Sequence, residues 1–415
     1  MGRFRQAVSF GTQLYRERLD FAYAGYVRRD QMALLFLRPG RDNPYAIYDR
    51  MRRDGTLLPT RRGNWVTTSH RVCDAVLRDR RFGVRPAGSS ADDLPPDNLS
   101  FLDMNPPDHT RLRRFAQPAF SPKQIAGYGP RIEATVGRLL DQVVAARQFD
   151  LMSALASPLP IAVITDLLGV PDSDADEFAR HGAVIASALD GIRSLSHAAR
   201  LHAASQGLAA LFDNLFALRR REPADDVVSR VVAADGDQVK PAEMVPICNL
   251  LLIAGFETTV NLIGNAVNAL LDHREHWEAL CAEPDALAAK AVEETLRFDP
   301  PVQRTYRVAL ERLELEGKQV RKGQYVVTLI GAANRDPEVY PGPDRFDIHR
   351  VPTTEHLAFS SGIHYCIGQP LARLEATIAL RLLAERMPGL RRAGRPRRRN
   401  SNTIRGPIHL PVSAN

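Results

Sequence analysis

From Pro107 to Asp272 apolar residues return every three or four positions, the spacing of helices with one buried face. The pattern breaks at SPLP, GVPDSD and REPADD, so this stretch is predicted to be a succession of helices. Between Pro44 and Asp79, helical text (YAIYDRMRRDG) alternates with a predicted hairpin (LLPTRRGNWVTTS). In VALERLELEGKQVRKGQYVV the alternation is every second residue, which predicts short strands about a turn at Gly317. RPAGSSADDLPPDNLS reads as a turn-rich loop, and the basic tail RRAGRPRRRNSNTIRGPIHLPVSAN carries weak strand character. Residues 1–40 are read as a helical N-terminal extension, and residues 41–415 as one domain. The fold class is mainly α with a minor β region. The absence of regular β–α alternation argues against a doubly wound sheet.

Composition narrows the partners. The 55 basic and 48 acidic residues leave +7, too little to imply nucleic acid without a basic–aromatic motif, and no such motif occurs. Cys73, Cys248, Cys281 and Cys366 are scattered, which excludes a disulfide framework and the usual zinc spacings and fits a reducing compartment. No signal-peptide core or membrane span is expected: the longest apolar run, ICNLLLIAGF, falls well short of a bilayer and leads into Glu257. A cytoplasmic location follows as the expectation.

One cysteine has an unusual setting. In FSSGIHYCIGQPLARLEATIALRLLAERM, Cys366 sits where a glycine-containing loop turns into a helix with an apolar stripe at Leu371, Leu374, Ile378 and Leu382. Pro370 is tolerated only in a first turn, so the helix should begin near Gly368. Free N–H groups at such a terminus favour a thiolate. Gly362 and Gly368 would let the backbone approach something large and flat. The string Phe359, Gly362, His364, Cys366, Gly368 resembles the haem-binding signature of the cytochromes P450. That resemblance implies haem b with Cys366 as the axial thiolate, the only protein ligand to iron, with His364 near a propionate and Phe359 near the sulfur.

Three further regions fit the same family. In KAVEETLRFDPP, Glu294 and Arg297 are three apart on a helix and can pair. The resemblance adds Arg345, from PDRFD, as the third member of a structural group that shapes the cysteine loop. NLLLIAGFETTVNLIGNAVNALL is apolar nearly all round, so it should be a core helix, and its buried acid and paired threonines need partners or a purpose. Thr258 can bond back to the Ala254 carbonyl and open the helix locally. By resemblance this is the oxygen-binding helix, with Ala254 and Gly255 over the haem, Thr258 bonding oxygen and Glu257 relaying protons. In NPPDHTRLRR, His109 and Arg113 share a helical face, and the resemblance sets them, with Arg307 of RTYRVA, on the haem propionates.

The resemblance covers the chain from about Pro44 to its end. It implies a soluble bacterial-type monooxygenase that inserts one oxygen atom from O2 into an apolar small molecule, with the iron doing the hard chemistry. No reductase-like segment is visible, so electrons are expected from a separate ferredoxin and ferredoxin reductase, attracted by a basic face of Arg111, Arg113, Arg114 and Arg373. The protein is expected to be a monomer. The rival readings are a haem-thiolate peroxygenase, which the Glu257–Thr258 pair disfavours, and a non-catalytic haem-thiolate sensor. The substrate pocket is expected at Leu99, Leu102, Ile253, Ala254, Val302, Gln303 and Ile408, mostly apolar positions that do not single out one substrate.

Overall fold

The computed structural model describes residues 12, 15–89, 100–190, 192 and 194–414. Its spine is a 32-residue helix, Pro241–Asp272, hereafter the central helix. The Glu243 carboxylate accepts the Lys240 N–H at 2.8 Å, and Pro241 occupies the first turn, where its missing N–H costs nothing. From Thr259 to Leu270 every residue is buried, which accounts for the all-round apolar text. This helix is long and apolar enough to cross a membrane, but most of it lies inside the fold.

The helices that pack most extensively against the spine are Pro158–Leu168, Asp172–Ala186, Pro284–Phe298 and Gln369–Arg386. The last, the cysteine helix, also packs on Pro122–Asp141 and buries Leu371, Ile378 and Leu383. Each such side chain, taken fully out of water, contributes about 1.5–3 kcal/mol. The helix starts at Gln369 with Gly368 as its cap and Pro370 in its first turn, as the sequence predicts.

The minor β region is equally legible. Leu58–Pro59 and Trp65–Thr67 pair as the expected hairpin. Trp65–Thr67 then runs parallel to Tyr325–Thr328, which pairs antiparallel with Thr305–Ala309 and, through it, with Phe82–Gly83. Leu313–Leu315 and Lys318–Val320 form a second hairpin, turned by Glu316 and Gly317, both with positive φ as a two-residue turn of this kind requires. The basic tail forms Arg397–Arg398 against Pro407–His409, a C-terminal hairpin; Pro411–Ser413 lies between Gln148–Asp150 and Arg391–Arg392. Residues 90–99 of the turn-rich loop, and Leu99 with them, lie outside the described residues. The described part of the N-terminal stretch is helical, and Arg405 ties it down by donating to the Arg41 carbonyl at 3.0 Å.

Candidate haem-thiolate site

The cysteine loop is shaped by its own backbone. Cys366 N–H donates to the Phe359 carbonyl at 2.9 Å, and Tyr365 N–H to the Gly362 carbonyl at 3.0 Å. Ser360 and Gly362 both take positive φ, 64° and 69°. A Cβ on Gly362 would stand 2.3 Å from the Leu77 carbonyl oxygen. Gly362 therefore seats the loop against the His70–Arg78 helix rather than against a flat ligand, which corrects the role expected of it. At Gly368 a Cβ would meet only the Phe120 ring, at 3.7 Å, an ordinary contact.

At the end of this loop the half-buried Cys366 sulfur accepts from the N–H groups of Gly368 and Gln369, and lies within the fields of Arg113 and Arg373. Burial outweighs these contacts and pushes the free thiol above its ordinary value. A cation bound at the sulfur would reverse the balance. The Phe359 ring lies under the Arg373 guanidinium at 4.5 Å.

Beside the sulfur is a cluster of bases with no acid. The His109 and His364 rings are 4.3 Å apart. Arg113 donates to the Tyr365 carbonyl at 2.5 Å, and the buried Arg307 donates to the Tyr306 carbonyl at 2.8 Å. Among the described residues no carboxylate pairs with either arginine. Burial pushes His109 down to about 4, helped by the charges of Arg113 and Arg307. His364 falls to about 2, by burial first and then by the Arg307 charge. Both imidazole nitrogens of His109 and Nε2 of His364 are buried without partners. A buried and a half-buried guanidinium without an acid, and orphaned ring nitrogens, are costly and call for an anionic group. The two carboxylates of haem b fit that requirement.

The central helix supplies the opposing wall. Ala254 is exposed and Ile253 and Thr258 half-buried, in a helix otherwise largely closed to solvent. Thr258 Oγ1 donates to the Ala254 carbonyl at 2.8 Å, as the sequence allows, and Thr259 does the same to Gly255 at 3.1 Å. The helix nevertheless runs unbroken, so the expected local opening is absent. Gly255 faces away: a Cβ there would meet Ile164 Cδ1 at 2.6 Å, which makes it a packing glycine against Pro158–Leu168 rather than a cofactor contact. Glu257 is buried and turned from the Thr258 face, bonded by Arg399 and held near Asn261 Nδ2 at 3.5 Å.

The supporting group differs from expectation in one member. Arg297 forks onto Glu294 at 2.7 and 2.8 Å, and also donates to the carbonyls of Asn334, Pro343 and Arg345. Arg345 gives only that carbonyl, and its side chain is exposed. The second guanidinium near Glu294 is that of Arg350, at 3.3 Å. The sequence offered no periodicity to choose between two arginines in an irregular segment.

The expected pocket and basic face are also redrawn. Gln303 is buried and bonded to Tyr45 and Tyr48 hydroxyls and the Pro300 carbonyl, so its amide belongs to that cluster and not to a substrate wall. Val302 is half-buried and bridges Ile404, while Leu102 and Ile408 are exposed apolar side chains. Arg111 is committed to Glu243 at 2.7 Å and Asp108 at 2.8 Å, and Arg373 to Glu293 at 2.6 Å. Of the four expected arginines, Arg114 alone is exposed.

A helical fold with a cysteine at a helix terminus, a basic cluster that calls for carboxylates and a threonine-bearing helix opposite defines a haem-thiolate protein. Residues 56–386 match the family described as Cytochrome P450. The biotin biosynthesis cytochrome P450 of Bacillus subtilis is 40% identical over 360 residues, spanning 84% of this chain and 90% of its own. The cytochrome P450 monooxygenase PikC of Streptomyces venezuelae is 37% identical over 361 residues, 84% of this chain and 85% of its own. The crystal structure of Mycobacterium smegmatis CYP164A2 superposes with a TM-score of 0.84 at 41% identity, covering 92% of this chain and 99% of that one. The chain belongs to the cytochrome P450 family: it is a haem- and iron-dependent monooxygenase, an oxidoreductase whose cofactor is haem b.

Proposed function

We propose that Cys366 is the sole protein ligand to the haem iron and that His109, His364, Arg113 and Arg307 hold its propionates. The observation that carries this is the sulfur with two N–H donors at a helix start, beside buried bases that lack an acid. Bound haem supplies the activation of O2. The protein then does three things. The Gly368 and Gln369 N–H groups and the Arg113 and Arg373 charges hold sulfur as thiolate once the metal compensates burial. Thr258, whose proton is spent on the Ala254 carbonyl, turns acceptor lone pairs towards the open face, where they orient water or substrate oxygen. Glu257, buried on the neighbouring face, supplies protons to that groove.

The reaction is insertion of one oxygen atom into an apolar small molecule, by hydroxylation or epoxidation. Ile253, Ala254, Val302, Leu102 and Ile408 offer it apolar contacts, in keeping with a lipid, terpenoid, steroid or polyketide. Electrons come from a separate ferredoxin and its reductase, and the protein works in the cytoplasm as a monomer, with residues 41–415 as one catalytic domain. The test is the Cys366→His variant. It is expected to lose the thiolate-type absorption of the reduced carbon monoxide complex, while substitution of Cys73, Cys248 or Cys281 leaves that band in place. Loss of the band on changing one of those three instead would refute the assignment.

A further inference from the structure

The helix at residues 15–22 continues as a wider π-helical turn, Tyr23–Val27, and presents apolar side chains outward. Its inner face is fastened to the fold. The Phe21 ring lies 4.9 Å from Phe36, Ala24 and Gly25 are buried, and a Cβ on Gly25 would stand 2.5 Å from Leu37 Cδ1. Its outer face carries Tyr15, Leu19, Tyr23 and Val27, each between 50% and 71% exposed, with the exposed Tyr26 beside them. A spacing of four drifts by about 40° per step around an α-helix. The π-helical turn holds more residues and takes out that drift, so the four side chains form one straight ridge.

Single exposed apolar side chains are ordinary, and Val351 is one elsewhere on this surface. Five along one helix are not. The ridge also has a basic rim. Arg16, Arg28 and Arg29 are exposed, and Arg61 and Arg62 join them from the turn between Leu58–Pro59 and Trp65–Thr67. The Arg62 guanidinium lies over the Phe21 ring at 5.1 Å and that of Arg28 over the Tyr23 ring at 5.2 Å, so rim and ridge are contiguous. The nearby exposed acids are Glu17 and Asp20; Asp30 accepts the Ala33 N–H at 2.7 Å as a helix cap. Six charged residues between positions 16 and 29 exclude a membrane-spanning helix. An apolar ridge rich in tyrosine and flanked by arginine instead suits the boundary between lipid headgroups and acyl chains, where the ring is buried and its hydroxyl stays wet. A second copy of the chain docked here would press two arginine rims together, which like charge opposes.

We propose that this ridge is a peripheral docking surface for an anionic lipid bilayer. Tyr15, Leu19, Tyr23 and Val27 enter the headgroup boundary, and the arginine rim meets lipid phosphates, whose oxygens a guanidinium can take two at a time. The rest of the molecule stays in water. None of these residues belongs to the haem site, so docking and the haem chemistry can be tested apart.

The experiment is co-sedimentation of the haem-loaded enzyme with vesicles of phosphatidylcholine alone, and of phosphatidylcholine and phosphatidylglycerol in equal parts. The wild-type protein is expected to bind the mixed vesicles, less tightly as salt rises, and the neutral vesicles about tenfold more weakly or worse. Leu19→Ser combined with Tyr23→Ser should weaken binding to mixed vesicles about tenfold or more, the factor carried by one buried side chain of this size. Arg28→Gln combined with Arg29→Gln should weaken it by a similar factor and leave binding to neutral vesicles unchanged. Val351→Ser should alter neither. Every variant should keep the absorption of the reduced carbon monoxide complex, because all the positions are exposed. Leu19→Trp separates insertion from adsorption: its emission should move to the blue on mixed vesicles and be quenched by brominated acyl chains. Binding that survives loss of Leu19 and Tyr23, or Leu19→Trp emission that stays put, overturns the proposal. So does a wild-type protein that ignores both vesicles, whether the ridge then mediates self-association or captures an acidic protein.

Discussion

At the scale of single residues, the site separates two side chains that are adjacent in sequence. Glu257 and Thr258 lie about 100° apart around the helix, and the structure turns one into the protein and the other to the open face. Thr258→Ala removes a hydroxyl and a methyl from a half-buried position, so haem content and substrate binding are expected to remain close to wild type. Product per reductant should fall several-fold with matching release of hydrogen peroxide, and Thr258→Ser should retain much of the coupling. The measurement is product, reductant and peroxide in one assay. Unchanged coupling in the alanine variant would reduce Thr258 to a helix-packing residue. The residues read correctly from sequence share one property: each is set by local chemistry, a helix start, an i,i+4 hydroxyl or an i,i+3 ion pair. Arg399 was not legible as Glu257's partner, because 142 positions separate them.

At the scale of elements, the Glu294–Arg297 pair joins Pro284–Phe298 to the irregular segment that leads into the cysteine loop. Asp347 N–H donates to Glu294 Oε1 at 2.8 Å, and Asn334 Oδ1 accepts from Leu357 N–H at 2.8 Å, so helix and segment share one polar network. Arg297→Ala would strand a buried carboxylate and several carbonyls, a loss of about 3–5 kcal/mol. Little folded, haem-loaded protein is expected from that variant. Arg345→Ala should change the unfolding free energy, measured by denaturant titration, by no more than about 0.5 kcal/mol, because its side chain is exposed. Arg350→Ala should fall between them. Comparable losses for Arg345→Ala and Arg297→Ala would contradict this division. Helices and hairpins were readable here because their periodicity is a property of consecutive residues. The partner of Glu294 was not, because an irregular segment has no repeat to say which side chain turns inward.

At the scale of the whole molecule, the +7 charge does not translate into four free arginines over the sulfur. Glu243, Asp108 and Glu293 neutralise Arg111 and Arg373, and Arg113 turns to the site. Attraction to an acidic ferredoxin is screened beyond about 8 Å at physiological salt. The reduction rate in stopped flow should therefore fall with ionic strength, and Arg114→Gln should flatten that dependence. Arg111→Gln should leave the slope nearly unchanged, since its charge is already paired. A slope reduced as much by Arg111→Gln would mean that the ion pair opens at the interface. The amino-acid sequence by itself determined the fold class, the start of the cysteine helix, the Gly317 turn, the Thr258 back-bond and the place of Cys366 just before a helix, all consequences of neighbours within a turn or two. Tertiary structure alone decided which glycine is pressed against a backbone and which against a side chain, which arginine approaches Glu294, and that the basic tail closes on Glu257. Those outcomes depend on where distant segments meet, and burial makes an unpaired charge too costly for the meeting to be left loose.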